Sequence, residues 1–370
     1  MRGLSVQNPA RAVSRSALLA VKEAPALKRG GCRNMAAMTG YASAVPTPFR
    51  GGGIDEKAFA GFCDWQIGQG IAALVVAGTT GEAPTLSKAE LGRLIRVAVE
   101  TAAGRVPVIA GAGSNATAHA IDLATEAETQ GADGLLIVTP YYNRPSQEGL
   151  YRHFRAVHNA SGLPILLYDV PSRTGCSFDI DTILRLSELP RIVGLKDATG
   201  DLSRVAPLRR RLGDEFRLLA GNDATALDFR ALGGDGCISV LSNLVPASCV
   251  ESDAAFAAGD AGAARAMAAR LAPLISALFS DSNPVPVKYA LQLMGRMAAT
   301  VRMPLCEAAP KARTAVTEAL TDLGLISPLQ ATDPPGQGGY PPGVIPIGLA
   351  VSGIAQEIRQ EIRGHGLTGG

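Results

Sequence analysis

The sequence predicts an α/β fold, a (β/α)8 TIM barrel with a C-terminal helical appendage. Short apolar runs rich in strand-forming residues alternate with segments of helical periodicity, and polar residues follow nearly every run. Because parallel strands need a crossover connection, usually a helix, this alternation favours a parallel sheet. The eight runs lie at Ala42–Val45, Ala73–Ala77, Val108–Ala110, Leu135–Val138, Ile165–Tyr168, Ile192–Lys196, Arg217–Ala220 and Cys237–Val240.

Segments between the runs carry the helical pattern. In Lys88–Thr101, Leu91, Leu94 and Ile95 fall on one helical face, and Thr117–Glu128 repeats this spacing. A doubly wound sheet is the structural alternative. The barrel is favoured because the strands number eight and because polar residues follow nearly every strand rather than one switch point.

Composition predicts four segments along the chain. Residues 39–245 form the barrel, and residues 246–327, rich in alanine and leucine, form a C-terminal helical subdomain. Residues 328–370 combine a Pro/Gly-rich linker with a short amphipathic tail. Residues 1–38 form a basic extension that we expect to be disordered.

The start of the chain allows three interpretations. Residues 1–34 carry five arginines and one acid, Glu23, without a long apolar segment, which argues against a secretory signal. A transit peptide, a disordered arm and a true start at Met35 or Met38 remain open, and the last two are favoured. We therefore expect a cytoplasmic location, or a plastid one if residues 1–34 are a transit peptide.

Composition also excludes several classes of function. The net charge is +2 and no basic stripe is interleaved with aromatic residues, so nucleic acid is not an expected partner. No run approaches the roughly 20 apolar residues that span a membrane. The six cysteines form no C-x-x-C pair and the chain has four histidines, so no metal site is predicted. A small metabolite is the expected ligand.

Lys196 is the residue most indicative of function, because it ends the apolar run Ile192–Lys196. Burial disfavours the ammonium form, so a lysine that closes a buried strand can present the neutral amine that Schiff-base enzymes use as a nucleophile. A lone strand-end lysine is more often one whose stem packs on apolar surface while its head reaches water. The neighbouring strand ends decide between these interpretations.

In a barrel, side chains that follow the strands converge at one mouth, where active sites lie. Those that follow the other strands include Thr79, Thr80, Tyr141, Tyr142, Tyr168 and Arg173. Each alone has an ordinary explanation, as a turn residue, an aromatic residue packed at the rim or a surface charge. Together with Lys196 they supply an amine, hydroxyls, phenols and a guanidinium, the groups that carbonyl chemistry through an imine requires without a metal.

Five stretches, taken together, resemble the dihydrodipicolinate synthase family. They are Gly78–Glu82, Thr139–Gly149, Tyr168–Gly175, Gly194–Gly200 and Gly233–Val240. The resemblance covers roughly residues 39–325. It implies a homotetramer, a dimer of dimers, that condenses pyruvate with L-aspartate 4-semialdehyde in the diaminopimelate route to lysine. It implies no cofactor other than the covalent imine with pyruvate.

The resemblance also implies residue roles. Lys196 matches the lysine that forms the imine with the C2 carbonyl of pyruvate, and Tyr168 matches its proton donor and acceptor. Thr79 matches the threonine that links this phenol to a second tyrosine. That tyrosine, here Tyr142, reaches in the family into the site of the neighbouring subunit.

Four further positions match substrate-binding residues of the family. Thr80 corresponds to the threonine that binds the pyruvate carboxylate, and Ile238 to a main-chain contact with the same substrate. Arg173 corresponds to the arginine that guides the carboxylate of the semialdehyde. Gly221 matches a backbone contact near the imine.

Two alternatives remain open. Acetylneuraminate lyases and keto-deoxy-sugar aldolases share the lysine and the first tyrosine, so Lys196 and Tyr168 do not separate them from the synthase. Arg173 and the Tyr141–Pro145 run favour the synthase. A non-catalytic carboxylate-binding barrel is the second alternative, and it would require Lys196 to be structural.

The family's feedback site predicts how lysine acts on this chain. In lysine-inhibited members, an acid near the start of the third barrel helix, paired with a histidine after the Gly78–Glu82 motif, helps to bind lysine at the dimer interface. The matching positions here are His119 and Lys88, while Asn115 and Tyr141 remain. Because this exchange replaces an anion by a neutral ring and adds a cation, we expect weak or absent inhibition by lysine.

Overall fold

A computed structural model of the chain describes Met35 and residues 38–327. Within these residues, eight parallel strands close into a barrel, in the order β1, β10, β9, β8, β7, β6, β5 and β4. The strands are β1 (Gly40–Ala44), β2 (Phe49–Arg50), β3 (Gly53–Ile54), β4 (Ala73–Val76), β5 (Val108–Gly111), β6 (Gly134–Val138), β7 (Ile165–Asp169), β8 (Ile192–Asp197), β9 (Arg217–Ala220) and β10 (Gly236–Ser239). The short strands β2 and β3 form a separate antiparallel pair. The predicted barrel is confirmed, and its closure excludes the doubly wound sheet.

Helices follow the barrel strands and then continue beyond them. They are α1 (Glu56–Gly68), α2 (Lys88–Ala102), α3 (Thr117–Thr129), α4 (Gln147–Ala160), α5 (Pro171–Thr174), α6 (Ile180–Ser187), α7 (Val205–Leu212), α8 (Ala226–Ala231), α9 (Pro246–Ala257), α10 (Ala261–Leu278), α11 (Val285–Leu293) and α12 (Pro310–Asp322). Helix α2 begins with a capping box, in which Ser87 and Glu90 each bond to the other's backbone amide. From Pro246 onward the described elements are helices, as the alanine-rich and leucine-rich composition predicts.

Two apolar layers stabilise the barrel. One fills its interior and includes Ile109, Leu136 and Leu166. The other lies between the strands and the surrounding helices and includes Leu167 and Leu195. Since successive side chains of a strand point to opposite faces, this alternation turns the residue that follows Leu167 or Leu195 into the barrel.

A buried ion pair attaches the C-terminal helices to the barrel mouth. Lys288 of α11 is fully buried, and its Nζ donates to Glu82 Oε1 at 2.7 Å and to the Thr47 carbonyl at 2.8 Å. The second oxygen of Glu82 accepts from the backbone amide of Arg302 at 2.9 Å. Burial lowers the pKa of Lys288, and the Glu82 carboxylate opposes this shift. Removing one member of such a pair costs about 3–5 kcal/mol, so these contacts hold the turn that carries Glu82 firmly in place.

The predictions for the two ends of the chain lie outside the described residues. Of the predicted extension at residues 1–38, the structure describes Met35 and Met38, which are buried in the cluster inside the barrel. The predicted linker and tail at residues 328–370 are not described. The boundaries assigned to the four segments therefore stay predictions.

Candidate active site

The carboxyl ends of the strands open on a cavity of about 670 Å³. Six residues singled out in the sequence line it, namely Thr79, Thr80, Tyr168, Arg173, Lys196 and Gly221. A second cavity of about 430 Å³ adjoins it. The two cavities share Thr79, Tyr168, Val170, Arg173 and Asn283 as lining residues.

Lys196 lies directly beside Tyr168, because strand register pairs these residues on β8 and β7. Lys196 is 5% exposed, and its Nζ lies 4.3 Å from the centre of the Tyr168 ring. At Gly221, an added Cβ would lie 3.1 Å from Cε of Lys196 and 2.7 Å from Cβ of Ala198. A glycine at this position therefore leaves the lysine the room that it occupies.

An ion-pair bridge fixes the two strand ends that carry these residues. Asp169 and Asp197 directly follow Tyr168 and Lys196, and the guanidinium of Arg204 lies 3.1 Å from Asp169 and 3.6 Å from Asp197. All three charged side chains are buried or nearly so. Burial raises the pKa of Asp169, while Ser177 and Arg204 favour its anionic form. The bridge aligns the carboxyl ends of β7 and β8.

Thr79 brings a hydroxyl to the phenol of Tyr168. The two oxygens lie 3.4 Å apart, and either can donate. Thr79 sits in a tight turn, in which the backbone amide of Glu82 donates to the Thr79 carbonyl at 3.1 Å. Thr47 donates to the Gly81 carbonyl at 2.7 Å, so the end of β1 supports the same turn.

Thr80 and Arg173 are joined by Asn283, which sequence reasoning did not single out. Asn283 Nδ2 donates to Thr80 Oγ1 at 3.0 Å, and Arg173 Nη2 donates to the Asn283 carbonyl at 3.4 Å. Because Thr80 Oγ1 accepts this bond, its own proton is available to an anion in the cavity. Asn283 precedes α11, far in sequence from any barrel strand, and a single sequence offers no signal for it.

Tyr142 lies outside both cavities of its own chain. Its side chain is 89% exposed, and its backbone has φ of 71°. Its amide donates to the Thr174 carbonyl at 3.1 Å. A left-handed backbone is strained for a tyrosine, so local contacts impose this outward direction. Within one chain, the structure does not bring Tyr142 to Thr79.

Ile238 lies on β10 with its side chain buried inside the barrel. The residues that follow it are held by Asp223, a second group that sequence reasoning assigned no role. The carboxylate accepts from the amides of Val240 and Leu241 at 2.9 and 3.1 Å. The main chain near Ile238 therefore has a defined position at the mouth.

The model of the dihydrodipicolinate synthetase family matches residues 37–323. The chain belongs to this family. The 4-hydroxy-tetrahydrodipicolinate synthase of Bradyrhizobium diazoefficiens is 47% identical over 296 residues, which cover 79% of this chain and all of the relative. The predicted family and enzyme class, a lyase family that acts through a pyruvate Schiff base in lysine biosynthesis, are confirmed.

Solved dihydrodipicolinate synthases share the fold. A chloride-inhibited enzyme from Acinetobacter baumannii, solved with pyruvate, has a TM-score of 0.76 and 43% identity, covering 78% of this chain and 100% of its own. A monomeric dihydrodipicolinate synthase variant has a TM-score of 0.77 and 37% identity, covering 79% and 99%. The solved dihydrodipicolinate synthases thus include a monomeric variant.

The four predicted feedback positions have different surroundings within one chain. His119 and Tyr141 line the second cavity. Lys88 lies on the surface of α2, where Nζ is 3.9 Å from Glu126. Asn115 exchanges hydrogen bonds with Asn143 at 2.9 and 3.3 Å. Leu86, Leu91 and Leu123 also line this cavity, which makes part of its wall apolar.

No group of three or more His, Cys, Asp or Glu side chains in the described part of the chain is arranged to hold a metal ion. No helix within residues 38–327 is long and apolar enough to cross a membrane.

Proposed function

We propose that this protein is a 4-hydroxy-tetrahydrodipicolinate synthase that condenses pyruvate with L-aspartate 4-semialdehyde through an imine on Lys196. The observation that carries this proposal is the buried amine of Lys196, 4.3 Å from the Tyr168 ring, in a cavity that Thr79, Thr80 and Arg173 also line. An amine, a proton relay and a cation for a carboxylate are the groups that this chemistry needs.

The first stage forms the imine. The Lys196 amine attacks C2 of pyruvate and gives up a proton, and the carbonyl oxygen, protonated twice by way of Tyr168, leaves as water. A neutral phenol is a weak acid, with a pKa of about 10 in solution, and a poor base, so it needs partners to pass protons in both directions. Thr79, 3.4 Å from this phenol, passes protons between it and Tyr142 of a neighbouring copy.

The second stage forms the carbon–carbon bond. The imine acidifies the pyruvate methyl group, and the resulting enamine attacks the aldehyde carbon. The substrate's own amine then replaces Lys196 on the imine carbon, which releases a cyclic product and the free lysine. No cofactor other than the covalent pyruvate imine takes part.

Carboxylate contacts determine where the substrates lie. The Thr80 hydroxyl and amide bind the pyruvate carboxylate, and the main chain of Ile238 holds the same substrate. Gly221 supplies a backbone contact beside the imine. Arg173, whose Nη2 reaches Asn283, binds the carboxylate of the semialdehyde at the rim.

The variant Arg173→Ala tests how the second substrate, L-aspartate 4-semialdehyde, is bound. The KM for L-aspartate 4-semialdehyde should rise about 10- to 100-fold in steady-state assays, because hydrogen bonds between charged groups contribute about 1.5–3 kcal/mol. Pyruvate imine formation should be unchanged. Arg211→Ala, at an exposed position of α7, is the matched control and should behave as the unaltered protein.

The same assay separates the alternatives. Turnover of a keto-deoxy sugar acid or N-acetylneuraminate, without turnover of the semialdehyde, would assign the protein to a sibling aldolase. Absence of turnover and of any pyruvate imine would favour a carboxylate-binding barrel.

We propose that the active form is a homotetramer, a dimer of dimers, in which Tyr142 completes the site of a neighbouring copy. The support is the direction of Tyr142, which is 89% exposed and held outward by a strained backbone. Within its own chain, this phenol lines neither of the two cavities. The expected cytoplasmic location likewise stays a prediction.

Mixing two inactive variants tests this exchange. Lys196→Ala and Tyr142→Phe should each lose activity, the latter by about 10²- to 10⁴-fold as for other proton-transfer groups. After subunit exchange, a site with intact Lys196 can receive intact Tyr142 from its neighbour, so activity should exceed that of either variant. A mixture no more active than the average of the two would show that Tyr142 does not cross between copies.

We also propose that lysine inhibits this protein weakly. Lys88 places a cation at one of the feedback positions, and His119, which lines the second cavity at another, supplies no anion for an ammonium group. Most of the activity should survive millimolar L-lysine. The double variant Lys88→His with His119→Glu should be inhibited more strongly, and strong inhibition of the unaltered protein would refute the proposal.

A further inference from the structure

Asp223 is a buried carboxylate at the mouth that the proposed mechanism does not use. It lies three residues beyond β9, is 8% exposed, and lines the same cavity as Lys196 and Gly221. A carboxylate in such a place is costly unless it is hydrogen-bonded and balanced by charge. Its contacts therefore indicate what it does.

Every group in close polar contact with the Asp223 carboxylate is a hydrogen-bond donor. Ser239 Oγ donates to Oδ1 at 2.5 Å, and the amides of Val240 and Leu241 donate to Oδ2. The amide of Ser242 donates to Ser239 Oγ at 2.8 Å, which leaves the Ser239 proton for Asp223. Donors on both oxygens favour the ionised form.

A chain of buried side chains supports Ser239 from behind. The hydroxyl of Ser242 lies 2.8 Å from that of Ser43, which donates to Gln66 Oε1 at 2.6 Å. Gln66 Nε2 donates back to the Ser242 carbonyl at 3.1 Å. Fully satisfied polar networks of this kind are rigid, so Asp223 is held at a defined place.

The other ionisable groups that face Asp223 are two thiols and a phenol. Burial raises the pKa values of Cys237, Cys249 and Tyr41, so all three are neutral near pH 7. Asp253 also faces Tyr41, from α9. Burial raises the pKa of Asp223 itself, while its donors and the cation of Lys196 oppose that shift.

We propose that Asp223 is a positioning residue that fixes the main chain of residues 238–241 and faces the cationic imine on Lys196 with a negative charge. This inference rests on the proposed function. By fixing this main chain, Asp223 positions Ile238 for its backbone contact with pyruvate. The charge effect favours the protonated imine over the neutral free amine and ketone, because the anion stabilises the positive charge that develops on the nitrogen.

Two variants separate these effects from a structural role. In Asp223→Asn the negative charge beside the imine nitrogen is lost, so the protonated imine is less favoured, and the pH midpoint of borohydride-trapped pyruvate adduct should move down. The pyruvate concentration for half-maximal trapping should rise about tenfold or more.

In Ser239→Ala the carboxylate of Asp223 remains but loses one hydrogen-bond donor. The pKa of Asp223 then rises, so the carboxyl is neutral over part of the pH range in which it is normally charged. The profile should therefore shift in the same direction as in Asp223→Asn, by a smaller amount. Asp228→Asn, an exposed acid on α8, is the matched control and should leave the profile unchanged.

The outcomes are distinct. If neither Asp223→Asn nor Ser239→Ala changes the pH profile of adduct formation, this inference is overturned and the proposed function stays intact. If Asp223→Asn lacks a cooperative thermal transition, the Ser239→Ala profile decides alone, and absence of a downward shift would overturn the inference. Absence of any adduct in the unaltered protein would contradict the proposed function and this inference together.

Discussion

Closure of eight parallel strands into one barrel is the constraint on which the rest of this structure depends. All strands then end at the same mouth, and side chains separated by more than a hundred residues along the chain line one cavity. Strand register pairs Tyr168 with Lys196, and the Arg204 bridge to the two following aspartates holds that pairing. The close approach of amine and phenol is thus a property of the sheet rather than of a flexible loop.

The helical appendage completes the mouth. The Lys288 ammonium, fully buried against Glu82, attaches α11 to the turn that presents Thr79 and Thr80. Asn283, just before α11, then reaches between Thr80 and Arg173. Loss of the ion pair would leave a buried charge at the base of that turn, so binding of the substrate carboxylates depends on how well barrel and appendage are joined.

Sequence reasoning recovered the strands and the residues that follow them, because alternating apolar runs and strand-end motifs are local signals. Lys196, Tyr168, Thr79, Thr80, Arg173 and Gly221 all reach the predicted cavity. Asn283, Lys288 and Asp223 could not be assigned roles in this way, since their contacts join segments distant in sequence. Lys88 and Asn115 line neither of the two cavities within one chain, so their predicted place beside His119 stays a prediction.

Two buried lysines, Lys196 and Lys288, make the central claim open to a direct measurement. Both are shielded from water, but only Lys196 lines the large cavity, while Lys288 is paired with a carboxylate. Incubation with pyruvate, reduction with borohydride and peptide mass mapping should place one reduced pyruvate on Lys196, and Lys196→Arg should abolish it. An adduct on Lys288, or none on Lys196, would contradict the assignment of this site.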